Sequence, residues 1–222
     1  MLLRIGHRGA KTYEIENTLE SFGKAIELGA NAIELDVRIS GDAALIVSHD
    51  DNLKKVFGKD VFISRTTLKE LKRLTENRIA TLQEALHFID TRAEKILVEL
   101  KETGYEKQVL DGIKKEKLED RVIIVSFHEE TLALVRELDK KIETGLIYAK
   151  YKKPIEAAVK LSAQYLVPLY RFVHRRDVIK AHKSNLKVIV WTINTKKDIE
   201  IYIAKDVDGI ATDKPALFKG IA

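Results

Sequence analysis

An α/β fold, specifically a (β/α)8 TIM barrel, is the architecture this chain predicts. Three observations carry it: the length, the recurrence of short β-branched runs, and helical spacing between those runs. At 222 residues a chain can bury one substantial core, and α/β barrels of this size form as one domain. The runs are Leu2 to Gly6, Ala32 to Ile39, Ile96 to Lys101, Val122 to Phe127, Glu143 to Tyr148, Tyr165 to Leu169, Lys187 to Thr192 and Gly209 to Thr212. Strands alternating with helices build parallel βαβ units, and about eight such units close into a barrel. A doubly wound open sheet shows the same alternation and is the rival that periodicity leaves standing.

The elements follow in order. Leu19, Phe22 and Ile26 give the first helix an apolar face that stops at Gly29. Asn17 and Glu20 stand at the spacing of a cap and its third-position partner. Ala43 to Val47 reads as an extra strand, and residues 50 to 66 show little periodicity. Residues 43 to 66 are therefore expected to be a short loop insertion after the second barrel strand, within one domain spanning 1–222. Thr81 and Glu84 repeat the capping-box spacing ahead of Leu86 and Ile89, and Pro154 suits the first turn of a helix through Ala157, Ala158 and Leu161. Lys114-Lys115-Glu116-Lys117 reads as a solvated helix end.

Composition narrows the function classes. Hydrophobic residues at 45% and charged residues at 33% place the chain with soluble globular proteins. No apolar run approaches the roughly 20 residues of a transmembrane helix, and Arg4 interrupts the N-terminal apolar residues too early for a secretion signal. A cytoplasmic protein beginning at Met1 is the expectation. Cysteine is absent, so any metal must bind oxygen or imidazole. The formal charge of +5 could draw a phosphate-bearing small molecule, but no basic block with interleaved aromatics marks a nucleic-acid surface.

In Ile33-Glu34-Leu35-Asp36-Val37-Arg38, the two-residue period of a strand puts Glu34, Asp36 and Arg38 on one face and the aliphatic residues on the other. The aliphatic face must meet the helices, so the acids point into the barrel. Val98-Glu99-Leu100-Lys101 repeats the arrangement, and three acids converge on one mouth. Two carboxylates about 4 Å apart repel by roughly 4 kcal/mol at an effective dielectric near 20. A divalent cation reverses that sign, and hard oxygen donors without thiolate favour Mg²⁺ or Ca²⁺ over zinc. The alternative is an ion-pair network in which Arg8, Arg38 and Lys101 neutralise the acids.

His7 follows the first strand and His49 the extra strand, so two imidazoles could serve as acid and base near that site. Arg8 could fork onto phosphate oxygens or pair with Glu34 or Asp36. Glu16 and Asn17 could reach substrate or metal, although Asn17 is equally a helix cap. Asp50 and Asp51 read as a turn. Trp191 and Asn194 sit at the end of the seventh strand, where Trp191 is either a rim residue or core filler. His128 could line the rim; it, His87, His174 and His182 are otherwise expected at structural or surface positions.

Taken in order, His7-Arg8-Gly9, Glu16-Asn17-Thr18, Glu34-Leu35-Asp36-Val37, His49-Asp50, Val98-Glu99-Leu100-Lys101, Ser126-Phe127, Trp191-Thr192-Ile193-Asn194 and the segment from Val207 to Pro215 resemble the glycerophosphodiester phosphodiesterases. The set spans nearly the whole chain. The resemblance implies a (β/α)8 barrel that hydrolyses glycerophosphodiesters to glycerol phosphate and an alcohol. It implies Glu34, Asp36 and Glu99 as ligands of Mg²⁺ or Ca²⁺, with Mn²⁺ a further candidate, and His7 and His49 as the acid/base pair. Arg8, Lys101 and Trp191 are then expected to contact substrate. In the family's proposed route the substrate's own glycerol hydroxyl attacks phosphorus, and water opens the resulting cyclic phosphate. Ile15 stands where the family usually has proline, and Ser40-Gly41-Asp42-Ala43 where it commonly has Thr-x-Asp-Gly. Lys54 to Gly58 stand where it often carries Arg-Thr-Thr, leaving head-group choice open. A lysophospholipase D using the same site, with an apolar contact from Val56, Phe57, Val61, Phe62 and Ile63, is the nearest rival. A non-catalytic barrel that binds phosphodiesters is the other.

Overall fold

The computed structural model describes residues 1–221. Its first half runs β1 (Leu3–His7), α1 (Leu19–Glu27), β2 (Ala32–Ile39), β3 (Leu45–Val47), α2 (Lys54–Phe57), α3 (Leu68–Leu74), α4 (Leu82–Ile89), β4 (Lys95–Leu100) and α5 (Glu106–Lys115). The second half continues through β5 (Val122–Ser126), α6 (Glu129–Leu138), β6 (Glu143–Tyr148), α7 (Pro154–Lys160), β7 (Tyr165–Pro168), α8 (Arg175–Lys183), β8 (Lys187–Val190), α9 (Lys196–Ile203) and β9 (Gly209–Thr212). Strand β1 pairs in parallel with both β2 and β9, and this double pairing closes the barrel and removes the open-sheet alternative. Strand β3 stands outside the ring, antiparallel to β2.

The two-residue period sorts the strand side chains into two layers. Ile5, Ala32, Leu97, Ile123, Ile147, Tyr165, Val167 and Ile189 fill the barrel interior. Ile33, Leu35, Val37, Ile96, Val98 and Leu100 face the opposite way, against α1, α4 and α5, where Phe22, Ala25, Leu86 and Val109 meet them. A side chain such as Phe22, wholly removed from water, contributes on the order of 2–3 kcal/mol by burial. Aliphatic packing thus fills the lower barrel and leaves the C-terminal mouth to polar groups.

The insertion is more structured than its sequence suggests. Residues 50 to 66 hold α2 and a 3₁₀ turn at Ile63–Arg65, and Ile46, Leu53, Ile63, Leu71 and Ile79 form a small separate core. The Asp51 carboxylate ties it down by accepting from both the amide and the hydroxyl of Ser64 at 2.8 Å. No helix among the described residues is long and apolar enough to cross a membrane.

Helix starts follow their capping chemistry. Thr81 and Glu84 form the expected reciprocal box, and Pro154 opens α7. The cap of α1 is Thr18, not Asn17: the Thr18 hydroxyl accepts from the Ser21 amide, because Asn17 takes a positive φ of 59° that turns its side chain back toward the barrel. Replacing Thr81 by alanine should cost about 1 kcal/mol, read as a lower urea midpoint at unchanged m value. Serine at that position should restore most of it.

Candidate active site

Backbone pairing brings the polar residues together before any side-chain contact is considered. Parallel register places His7 beside Glu34 across β1 and β2, and Asp36 beside Glu99 across β2 and β4. All four occupy inward positions near the strand ends, where barrel loops gather.

The loop after β1 is wound tightly to present Arg8. Arg8 and Asn17 both adopt left-handed backbone, with φ of 56° and 59°, and the Asn17 amide donates to the Arg8 carbonyl at 3.0 Å. Gly9 lies between β1 and α1 with φ of 81°, and a Cβ there would sit 2.4 Å from Ser21 Oγ and 2.6 Å from the Ser21 backbone. Only glycine fits so close an approach. The Arg8 amide donates to Glu34 Oε2 at 2.8 Å, and its guanidinium bonds Glu16 Oε1 at 2.9 Å. Arg8 Nε lies 3.4 Å from Asp36 Oδ2. Asn17 Nδ2 donates to that same Asp36 oxygen at 2.8 Å.

Glu34, Asp36 and Glu99 are all buried, and each offers an oxygen within 4.8 Å of the other two. Burial, reinforced by the neighbouring carboxylates, pushes Glu34 well above the ordinary glutamate range and Glu99 up to about 7. Burial acts on Asp36 in the same sense, but Arg8 and Lys101 outweigh it and hold that group low. Lys101 Nζ bonds Glu99 Oε1 at 2.6 Å and lies 3.5 Å from Asp36 Oδ1. Glu34 Oε1 and Asp36 Oδ1 remain buried without a hydrogen bond, a costly condition unless a cation serves them. Oxygens sharing one hard cation at about 2.0–2.6 Å stand no more than about 5 Å apart. The donor set therefore fits a divalent ion bound by oxygen.

Each histidine is held through Nδ1 by its own aspartate. His7 Nδ1 lies 2.7 Å from Asp213 Oδ1, just beyond β9 across the seam that closes the barrel. His49 Nδ1 lies 2.7 Å from Asp50 Oδ1. An ionised carboxylate only accepts, so Nδ1–H donates in both pairs and Nε2 is left to face the mouth. His7 Nε2 stands 3.9 Å from Glu34 Oε2. Burial lowers both histidines below their ordinary value. Asp213 is in turn fixed by Asn194 Nδ2 at 2.7 Å and by Lys11 Nζ at 3.1 Å. Burial opposes its ionisation, but the His7 bond and Lys11 hold it at about 2.

Asp50 thus does more than form a turn, and Asp213 and Asn194 join the site from the far end of the chain. The carboxylate and the amide just past the last two strands were the available signals for that pair. Trp191 lines the mouth with Phe127 and Val167, its ring edge-on to Phe127 at 5.8 Å and its Nε1 donating to the Val167 carbonyl at 2.8 Å. Arg38 turns aside, donating to the His49 carbonyl at 2.8 Å and pairing with Glu102. The remaining histidines lie elsewhere. His128 and His174 stand at the starts of α6 and α8, His87 pairs with Glu116, and His182 bonds Asp208.

A folded-state value of about 2 against an ordinary 3.8 means that Asp213 stabilises the fold fully above about pH 4. That contribution is lost as pH falls through about 2. Asp213→Asn should lower stability at pH 7 by about 1–2 kcal/mol, after allowing for solvent screening at the rim. In urea titrations across pH the gap from wild type should close between about pH 4 and pH 2.

Residues 7–217 match the model of the glycerophosphoryl diester phosphodiesterase family. A glycerophosphodiester phosphodiesterase of Caldanaerobacter subterraneus subsp. tengcongensis is 33% identical, over 96% of this chain and 94% of that protein. The crystal structure of a glycerophosphodiester phosphodiesterase from Thermotoga maritima superposes with a TM-score of 0.88 at 34% identity, covering 100% of this chain and 99% of that one. An Oleispira antarctica phosphodiesterase, solved in complex with the product sn-glycerol-3-phosphate, superposes with a TM-score of 0.86 at 26% identity over 97% of this chain and 94% of that one. By the extent of the family match and the identity to these proteins, the chain belongs to the glycerophosphoryl diester phosphodiesterase family.

Proposed function

We propose that this chain, as one catalytic barrel domain, hydrolyses glycerophosphodiesters to glycerol phosphate and an alcohol. The observation that carries the reading is the pairing of two aspartate-oriented histidines, His7 and His49, with the buried acids Glu34, Asp36 and Glu99 at one mouth. Family membership and the glycerol phosphate complex of the Oleispira phosphodiesterase support it. Binding alone does not call for two imidazoles held in a defined tautomer, which disfavours a non-catalytic barrel.

Glu34, Asp36 and Glu99 would hold Mg²⁺ or Ca²⁺, with Mn²⁺ also suited to the oxygen donors. When bound, such an ion supplies positive charge that polarises the phosphoryl group. Arg8, once drawn from Glu16, forks onto a non-bridging phosphoryl oxygen, and Lys101 adds a point charge on the same side. One histidine takes the proton of the glycerol hydroxyl next to the phosphoester through Nε2, and that oxygen attacks phosphorus. The other gives its Nε2 proton to the departing alcohol oxygen as the P–O bond breaks. A cyclic glycerol phosphate results, and the two histidines have exchanged protonation states. Water then enters: the second histidine takes its proton, and the first returns a proton to the glycerol oxygen as the ring opens. Asp50 and Asp213 keep each Nδ1–H fixed throughout. Trp191 and Phe127 form an apolar wall for the part of the substrate beyond the phosphate.

Glycerophosphocholine, glycerophosphoethanolamine and a lysophospholipid, each assayed with wild type and His49→Ala, test the reading. The two glycerophosphodiesters should turn over, and His49→Ala should lower kcat by on the order of 10²–10⁴. Chelation should abolish turnover, and added Mg²⁺, Mn²⁺ or Ca²⁺ should restore it. Activity that survives both chelation and loss of His49 would sink the mechanism. Turnover of the lysophospholipid alone would make the protein a lysophospholipase D.

A second prediction concerns the acid cluster without catalysis. Glu99→Gln removes one of three crowded carboxylates, so the metal-free protein should hold or gain stability while its Mg²⁺- or Ca²⁺-dependent rise in melting temperature shrinks. Calorimetry with and without chelator reads both changes.

A further inference from the structure

Outside the barrel ring, between α7 and α8 and against the outer faces of β6, β7 and β8, lies a cavity of about 530 Å³. It shares no lining residue with the mouth. Leu166 and Val188 from the strands and Val178 from α8 close its floor as part of the buried core. The apolar surface open to a ligand is that of Ile155 from α7 and of the aromatics Tyr148, Tyr151 and Phe172. Sites for small organic ligands span about 300–1,000 Å³ and are mostly apolar, with a few polar groups that fix orientation. This cavity has that volume, with apolar surface along its walls.

Its rim has a definite sign. Lys150, Lys152, Lys153 and Lys180 surround it, against the carboxylates Glu156 and Asp177. Lys153 is taken by Glu156 at 2.9 Å, and Asp177 accepts from the His174 amide at 2.9 Å. Lys150, Lys152 and Lys180 have no ion pair among the described residues, and Lys150 Nζ rests 5.2 Å from the centre of the Phe172 ring. Phe172 and Tyr151, two of the large side chains the surface exposes, both border the opening. The half-buried Tyr148 ring stacks edge-on to Tyr151 at 6.0 Å, and its hydroxyl has no hydrogen-bond partner among the described residues. Scattered surface lysines are ordinary in a chain of this composition. Unpaired lysines, exposed aromatics and an unpartnered phenol converging on one apolar cavity are not.

We propose that this cavity is a second binding site, for a single-chain anionic amphiphile whose alkyl body enters between α7 and α8. Its carboxylate or phosphate monoester head meets Lys150, Lys152 and Lys180. The open apolar surface of Ile155, Tyr148, Tyr151 and Phe172 supplies affinity in proportion to the area covered, the lysines select charge, and the Tyr148 hydroxyl donates to the head group.

Calorimetric titration of the full chain with octanoate, octyl phosphate and neutral octyl glucoside, all below their micelle concentrations, tests this. One equivalent of an anionic amphiphile should bind, and saturating sn-glycerol 3-phosphate should not displace it. Lys150→Glu with Lys180→Glu, two exposed positions remote from the mouth, should weaken binding about tenfold or more while leaving the melting temperature and glycerophosphodiester turnover unchanged. Ala149→Trp, which fills the opening, should weaken all three probes. Binding of octyl phosphate alone identifies a phosphate monoester as the ligand head, and binding of octanoate as well extends the class to carboxylates. The proposal is overturned if neither anion binds or octyl glucoside binds as tightly. It also fails if charge reversal leaves affinity unchanged, or if glycerol phosphate competes.

Discussion

Asp36 and Glu99 face each other because β2 and β4 pair in register, and Glu34 follows one inward step earlier on β2. Like charges so placed, away from water, repel by several kcal/mol, and the surrounding groups are arranged around that repulsion. Arg8 is bent into a left-handed conformation to bring both its amide and its guanidinium to the cluster. Lys101 folds back along its own strand to reach Glu99 and Asp36. Asn17 gives up the helix cap to Thr18 and spends its amide on Asp36. Even so, Glu34 Oε1 and Asp36 Oδ1 accept no hydrogen bond, a condition that a divalent ion would relieve.

The same crowding accounts for the aspartates behind the histidines. An imidazole close to three acids can present either nitrogen to them, and a base needs one nitrogen committed elsewhere. Asp213 and Asp50 make that commitment, each through Nδ1, so on the proposed mechanism both Nε2 atoms are presented alike to the substrate. The apolar half of the mouth, with Val125, Ile147, Val167 and Trp191, keeps the site low in dielectric and strengthens every charge interaction across it.

Most of the barrel is legible in the sequence because parallel strands covered on both faces read as continuous β-branched runs. The acids were legible for a related reason: a carboxylate at every second position of such a run breaks the rule that inward positions are aliphatic. Asp213 was legible only as a carboxylate just past the last strand: its bond to His7 spans 206 residues, and nothing in the local sequence names that partner. Asp50 was hidden by the turn propensity that aspartate has anyway. The core of the insertion escaped too, because Ile46, Leu53, Ile63, Leu71 and Ile79 come from separate short elements whose spacing follows neither a helical nor a strand period.

That insertion core has a consequence for how the site can fail. His7 hangs from the seam of the barrel, whereas His49 follows β3 and is braced by the Arg38 bond to its carbonyl, on a unit with its own few buried side chains. Small cooperative units of this kind open more readily than the body that carries them. The two imidazoles therefore belong to parts of unequal durability. Warming or mild denaturant would unseat His49 first, leaving a closed barrel with its acid cluster intact and one half of the proposed proton relay missing.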